Sequence, residues 1–213
     1  MFRTKTAPRR WELSYRTLRQ SGANVVQDEQ LWIRQARRGD GIAFGRLVRA
    51  YQERLCTALL HVCGSADDAE DVAQEAFVTA YVKLASFAGQ SAFYTWLYRI
   101  AFNAAISRRR RRREESSVEQ TRDATGQEPL DDAEPAEDRM LREERATAVQ
   151  RALSLLSDEH RAILVLREVE DCDYDAIAAI LDVPVGTVRS RLHRARLQLK
   201  EQLDAILGEA ERH

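Results

Sequence analysis

Four polar side chains near the C terminus share one face of a predicted helix: Arg189, Ser190, His193 and Arg194. The opposite stripe of that helix is apolar and consists of Val188, Leu192, Ala195 and Leu199. An outward arginine can read guanine in a DNA groove through paired hydrogen bonds. Arg191, Arg196 and Lys200 are better placed to bind backbone phosphates. The pattern favours groove recognition over its plainer alternative, a solvated basic helix packed on its own domain.

The segment that precedes this helix supports that interpretation. Residues 174–181 carry apolar side chains at helical spacing, and residues 182–186, Asp-Val-Pro-Val-Gly, separate the two helices. Two short helices that cross at a steep angle allow the second to enter the major groove. The two segments together predict a helix-turn-helix.

An acidic helix in the first half of the chain carries a different chemistry. Asp68, Asp71 and Glu75 fall on one side of it, and Val78 and Val82 continue the same stripe. The helix dipole alone explains acids near an N terminus, but it leaves the two valines unexplained. Carboxylates beside exposed aliphatic side chains suit a surface that binds another protein.

The next predicted helix mixes aromatic and basic residues. Four of its side chains should face a core: Phe93, Trp96, Leu97 and Ile100. Tyr98 and Phe102 lie roughly opposite them, with Arg99 and Asn103 at the border. Aromatic rings beside cations suit the unstacked bases and the phosphates of a single strand.

Two cysteines and a histidine on one helix, Cys56, His61 and Cys63, could hold a metal. Their spacing matches no zinc finger, and the three cysteines of the chain are an odd number for disulfide pairing. We therefore interpret Cys56, Cys63 and Cys172 as small side chains of a reduced protein. We recognise no nucleophile, catalytic carboxylate pair or phosphate loop, and no cofactor is predicted.

The composition indicates that helices position these side chains. The chain has 213 residues, 44% apolar and 31% charged, which suits one ordinary globular domain or two small ones. Nine glycines and four prolines are too few for the turns of a sandwich or barrel. No apolar run approaches the ~18 residues of a membrane span, and the basic N terminus lacks the apolar core of a secretory signal. We therefore expect a cytoplasmic protein without membrane insertion.

The helical spacing of apolar residues predicts where these helices lie. Three helices follow one another from about Phe44 to Val62, from about Asp67 to Leu84, and from about Ser91 into the arginines of 108–113, after a shorter one around 31–36. In the second half, Ser157 should cap a helix, and 163–166 fit a buried helix better than a strand. Two more helices occupy about 174–181 and 185–205.

Charge divides the chain into segments. Residues 1–27 hold six basic residues and one acid, whereas residues 114–145 hold twelve acids and four arginines. The acidic segment has few large apolar side chains to offset the entropy of ordering, so it predicts a flexible linker. The predicted domains are therefore 28–113 and 146–213, with 1–27 as a basic extension.

Three motifs resemble one family, the extracytoplasmic-function (ECF) sigma factors of bacterial RNA polymerase. GTVRSRLHRAR at 186–196 resembles the fourth-region signature of that family. DAEDVAQEAF at 68–77 resembles its polymerase-binding helix, and FAGQSAFYTWLYRIAFN at 87–103 resembles its promoter-opening segment. Several motifs in the family's order are far more specific than any one of them alone.

The resemblance implies an all-α fold in which a region 2-like helical domain and a region 4-like helix-turn-helix domain are joined by the acidic linker. It implies a sigma factor, under stress or signal control, that directs polymerase to promoters and opens them. The implied partners are the clamp helices of core RNA polymerase, promoter DNA as duplex and as melted strand, and an anti-sigma factor or other regulator. The linker would then thread a basic channel of the polymerase or act as a plain tether.

The resemblance also assigns residues to three sites. The upstream promoter element, minus-35, would be bound by Thr187, Arg189, Ser190, Arg191, His193, Arg194, Arg196 and Lys200. The downstream element, minus-ten, would be bound by Phe87, Ser91, Tyr98, Arg99, Phe102, Asn103, Arg108 and Arg109, with a pocket for a flipped base in the 85–92 loop. The polymerase would be bound by Asp68, Asp71, Gln74, Glu75, Val78 and Val82.

Two other functions remain open at this point. A free-standing helix-turn-helix regulator would bind duplex DNA without polymerase and use its N-terminal helices to sense or dimerise. An enzyme would need Cys56, His61 and Cys63 to hold a metal.

Overall fold

The computed structural model describes the backbone of residues 28–89, 91–116 and 136–210, and the side chains of 28–89, 91–112 and 144–208. Every regular element in these ranges is a helix, which confirms the predicted all-α fold. The first half contains α1 (28–36), α2 (Gly41–Cys63), α3 (Ala66–Lys83), a 3-10 turn (Leu84–Ser86) and α4 (Phe93–Ser116).

The second half contains four helices and one irregular turn. They are α5 (Ala136–Ser154), α6 (Asp158–Leu164), a π-helical turn (Val165–Val169), α7 (Tyr174–Leu181) and α8 (Val185–Ala210). Residues 163–166 are helical and buried, as predicted. No helix within the described ranges is both long enough and apolar enough to cross a membrane.

Local chemistry explains several of the boundaries. Gly64 adopts a left-handed φ of 81° after α2, and the Ser65 hydroxyl then accepts a hydrogen bond from the Asp68 amide to cap α3. Ser157 caps α6 in the same way through the His160 amide, with Asp158 and Glu159 in the first turn. The prediction of this cap is confirmed.

The predicted linker is too long at both ends. α4 continues to Ser116, and α5 already begins at Ala136, so residues 114–116 and 136–145 are helical. The physical reason is helix propensity: residues 136–146 consist almost entirely of Ala, Glu, Arg, Leu and Met, which favour helices even without a buried face. The basic extension 1–27 and the central linker 117–135 lie outside the described residues.

The chain divides into two compact units, and the sequence boundary between them falls inside α2. The second unit runs from Tyr51 to His213. In this second unit α3 packs on α4, and α4 packs in turn on α6 and α7. α8 packs on α5, α6 and α7. The fully buried side chains include Leu55, Leu59, Phe93, Leu97, Tyr98, Phe102, Ile163, Leu166 and Ile177. Residues of both predicted domains therefore contribute to this unit.

Candidate functional site

The outer face of α8 presents the predicted upstream-element residues to solvent. Asp173 caps α7, Asp182 ends it with a left-handed φ of 56°, and α8 starts directly after Pro184. Three side chains on the inner side of α8 are buried: Val188, Leu192 and Ala195. Four side chains are consequently exposed on the other side, as the spacing predicted: Arg189, Ser190, His193 and Arg194. The Arg189 guanidinium lies over the Tyr174 ring, 5.8 Å from its centroid.

The basic residues further round α8 differ in their surroundings. Arg191 forms an ion pair with Glu159 at 3.1 Å, and Arg196 binds Glu168 at 2.6 Å. Lys200 is exposed, and Thr187 is half-buried. Arg191 and Arg196 therefore reach a phosphate only in exchange for a carboxylate within the protein, a cost that the sequence did not indicate.

The predicted polymerase-binding face of α3 is largely exposed. Val78 and Val82 are 59% and 74% exposed, and Gln74 and Glu75 flank them at the surface. Tyr81 of the same helix is 46% exposed and widens this apolar patch. An apolar patch beside carboxylates is suited to a protein partner.

Asp68 and Asp71 are bound by arginines of α4. Asp68 is buried, and its carboxylate accepts from Arg108 and Arg112. Asp71 is exposed and accepts from Arg108 at 2.9 Å. Asp68 therefore joins two helices and is removed from the exposed face on which we predicted it.

Arg108 and Arg109, both predicted to bind DNA, are half-buried and bound within the protein. Arg108 holds the two aspartates of α3. Arg109 donates to Asp158 at 2.7 Å and to the carbonyls of Val62 and Cys63. Arg110 and Arg111 are exposed, so the six-arginine run divides into structural and solvent-facing members.

Tyr98 and Phe102, which we placed opposite the core-facing side chains of this helix, are both fully buried as well. Their rings stack with centroids 5.9 Å apart, and Tyr94 packs against Tyr98 at 5.1 Å. α4 packs on α7, and the chain between 166 and 182 supplies polar partners for this side of α4. We call Tyr94, Tyr98 and Phe102 the aromatic face of α4, and residues 166–182 the cover segment.

Glu170 is the central polar group between the cover segment and α4. The residue is 3% exposed, and its carboxylate accepts from Arg54 Nε at 2.6 Å and from the Tyr98 hydroxyl at 3.0 Å. The Tyr94 hydroxyl and the Cys172 Sγ are 2.8 Å apart. Burial, followed by the charge of Glu170, raises the pKa of Tyr98 far above its usual value. Sequence reasoning missed Glu170 and Arg54, since Glu170 is one of five acids between 168 and 175 and nothing in the pattern singles it out.

The other predicted downstream-element residues are divided between surface and interior. Ser91, Arg99 and Asn103 are exposed, whereas Phe87 is buried against Phe93 and Trp96. Arg99 also lies 3.4 Å from Asp182 of the cover segment. Ser91, Arg99 and Asn103 are thus accessible, whereas Phe87, like Tyr98 and Phe102, is not.

The cysteines are all free thiols. Burial raises the pKa of Cys63 and of Cys172 to about 11 in each case, so both thiols stay protonated near neutral pH. Within the part of the chain that the structure describes, no three His, Cys, Asp or Glu side chains form a group that could hold a metal.

Family comparisons agree with the two halves of the fold. Residues 47–115 match the model of Sigma-70 region 2, and residues 146–199 match that of Sigma-70, region 4. The RNA polymerase sigma-H factor of Pseudomonas aeruginosa is 43% identical over 189 residues, covering 86% of this chain and 97% of that protein. The ECF RNA polymerase sigma-E factor of Escherichia coli is 38% identical over 185 residues, covering 84% of this chain and 96% of that protein.

Two solved structures of similar fold are complexes with a second protein. The sigma factor RpoE of Bartonella quintana, in complex with the anti-sigma factor NepR, matches with a TM-score of 0.62 at 25% identity, over 76% of this chain and 96% of that one. CnrH in complex with the cytosolic domain of CnrY matches with a TM-score of 0.59 at 25% identity, over 84% of this chain and 98% of that one.

Proposed function

Because this chain belongs to the ECF family of RNA polymerase sigma factors, which direct the polymerase to specific promoters and start transcription, we propose how its surfaces divide that task. The observation that carries the proposal is the exposed polar face of α8. Arg189, Ser190, His193 and Arg194 lie together on the side of α8 opposite its buried stripe, and the short helix α7 precedes it. This arrangement supports recognition of base edges in the major groove of the upstream element.

The phosphates beside that groove are bound by Lys200, Thr187, Arg191 and Arg196. Lys200 is exposed and acts as a ready cation, whereas the two arginines exchange Glu159 and Glu168 for phosphates. These contacts orient the helix, and the base-edge contacts supply specificity.

The clamp helices of core polymerase bind the patch formed by Gln74, Glu75, Val78 and Val82, with Asp71 and Tyr81 at its edge. Support comes from its mixture of exposed aliphatic and acidic side chains. Asp68 supports the patch indirectly, because its carboxylate binds Arg108 and Arg112 and so joins α3 to α4.

The downstream element is bound by the amino-terminal part of α4 and the loop before it. Ser91, Arg99 and Asn103 are accessible to a strand, and Phe87 supports the loop from inside. Tyr98 and Phe102 stack on unpaired bases only after the cover segment has left them. Arg108 and Arg109 stabilise the helix that carries these residues.

RNA synthesis itself belongs to the polymerase, so we infer that this chain is no enzyme and that it acts in the cytoplasm with that polymerase. Among its structural neighbours, CnrH is in complex with the cytosolic domain of CnrY, and the sigma factor RpoE is in complex with the anti-sigma factor NepR. A regulator of that kind is therefore a partner of this chain too.

Promoter-specific run-off transcription tests the assignment. Purified full-length protein is added to core polymerase lacking any sigma factor, on DNA fragments from the host that include promoters selected by the reconstituted holoenzyme. We expect discrete transcripts that vanish without the protein. Duplex binding with no transcript above the core-only background would instead identify a free-standing helix-turn-helix regulator.

A further inference from the structure

We propose that this sigma factor blocks its own downstream-strand site, because residues 166–182 occupy the aromatic face of α4 and Glu170 latches them there. The inference rests on the proposed function of α4 and concerns the regulation of that same site. It makes the aromatic face a surface with two alternative occupants, the cover segment and the melted strand.

The latch consists of Glu170, Arg54 and Tyr98. The Glu170 carboxylate accepts from Arg54 Nε and from the Tyr98 hydroxyl, and its backbone carbonyl accepts from Arg54 at 3.0 Å. A buried carboxylate is tolerated only when it is paired and hydrogen-bonded. Glu170 meets that condition only while the cover segment lies on α2 and α4.

A second group of contacts surrounds the latch. The Arg54 guanidinium lies 5.3 Å from the centroid of the Tyr94 ring, and the hydroxyl of that ring contacts Cys172. Asp171, which follows Glu170 at the end of the π-helical turn, adopts a left-handed φ of 51°. The cover segment is therefore held in a defined shape against α4, which loose packing would not produce.

Two arginines anchor the closed arrangement away from the latch. Arg161 is buried, and it donates to Val62 O of α2 at 2.9 Å and to Leu153 O of α5 at 2.6 Å. Arg109 of α4 binds Asp158 of α6. The C-terminal part of the chain thus contacts α2 and α4 at several separate points.

This compact form cannot span a promoter. Elements centred at minus-10 and minus-35 are about 25 base pairs apart, which is about 85 Å of B-DNA. A compact unit of about 160 residues has a radius of gyration of about 15 Å, and therefore a diameter of about 40 Å. Binding both elements requires the second unit to open, and opening exposes the aromatic face.

The block is selective. The outer face of α8 is exposed in the closed form, so the upstream duplex can bind without opening. Closure therefore prevents strand binding and leaves duplex binding intact.

The test uses the full-length protein and two latch variants, Glu170→Gln and Arg54→Met. Asp175→Asn is the matched control, since it changes an exposed carboxylate of the cover segment outside the latch. Opening is measured by pulse alkylation of Cys172 relative to Cys56, read by mass spectrometry. Binding is measured with a fluorescent pool of random single strands of about twenty nucleotides and with a duplex selected on the wild-type protein.

We expect both latch variants to alkylate Cys172 about tenfold faster and to bind the strand about five- to tenfold more tightly, as for a site freed from a mostly closed population. Duplex binding should stay within about twofold of wild type, which also reports that the helix-turn-helix is folded. The control should match wild type in every measurement.

Unchanged Cys172 alkylation in both latch variants would overturn the latch whatever the role of α4. Faster alkylation without tighter strand binding would overturn the block. If wild-type run-off transcription persisted in either case, the sigma function itself would stand.

Discussion

The Arg189 side chain is exposed, and a contact with Tyr174 orients its guanidinium. Its guanidinium stacks over Tyr174, which also contacts Arg167 at 5.6 Å, so the side chain is partly ordered before DNA arrives. Preorganisation lowers the entropy lost on binding. Arg194 is exposed too, and no such stacking contact is observed for it among the described residues.

Arg189→Ala should reduce discrimination between the selected upstream duplex and a scrambled one by about 1 to 3 kcal/mol, because a bidentate base contact is lost. Fluorescence anisotropy at fixed salt measures the two affinities. Glu201→Gln, on an exposed position further along α8, is the control. Wild-type discrimination by the Arg189 variant would show that this side chain does not read bases.

The thiols of Cys63 and Cys172 should alkylate slowly at pH 8 and faster as the pH rises, up to about pH 11. Their pKa values lie near 11 because they are buried, whereas an exposed thiol has a pKa near 9. A raised pKa means less of the reactive thiolate at a given pH, about a hundredfold less for a two-unit shift. Iodoacetamide rates measured from pH 7 to 11 test this. A plateau near pH 9 in the folded protein, matching the urea-denatured control, would contradict it.

Among the helices, α3 has one buried face and one exposed face. The inner face buries Val72, Ala76 and Ala80, and the outer face exposes Val78 and Val82. Glu75 is a sharper probe of the outer face than Asp71, since Asp71 already binds Arg108 of α4. Replacing Asp71 would disturb the packing of two helices together with any partner contact.

The double variant Glu75→Lys, Val82→Asp should bind core polymerase about 10- to 100-fold more weakly, because a central apolar contact and a favourable charge are both lost. Competition with wild-type protein for core enzyme measures the affinity. Lys83→Glu changes a charge on the same helix outside the patch and should compete like wild type. Duplex binding by the double variant should also be unchanged. Undiminished competition would remove α3 from the polymerase interface.

Element by element, the helices could be predicted and their ends only in part. Apolar spacing identified α2 and α3, and the Ser157 cap identified α6, since these signals are local. The start of α5 at Ala136 was missed because residues 136–145 lack an apolar stripe, although most of them have high helix propensity.

For the whole molecule, the exposed sites could be predicted and the closed arrangement could not. The face of α8 follows from one helical period, so Arg189 and Arg194 were found from spacing alone. The burial of Tyr98 depends on Glu170, 72 residues further along the chain. Aromatic rings beside cations suit either a base or a protein segment, and their spacing does not distinguish the two.

Combining Arg189→Ala with the α3 double variant should give additive losses in transcription, expressed as free energies. In the proposed function the two sets of side chains contact different partners, DNA and polymerase, and distant independent sites add within about 0.5 kcal/mol. Run-off yield at limiting protein measures each variant and the combination. A combined loss that is far smaller than the sum would mean that the two surfaces serve one binding event.

The covering of α4 also has a consequence for synthesis on the ribosome. The aromatic face leaves the ribosome about seventy residues before Glu170, which at about 5 to 20 residues per second is an interval of about 4 to 14 seconds. Throughout that interval the nascent helix exposes three aromatic side chains with no segment yet available to cover them. Each newly made molecule therefore passes through a brief stage at which chaperones, or other nascent chains on the same messenger RNA, have access to a surface that the finished protein buries.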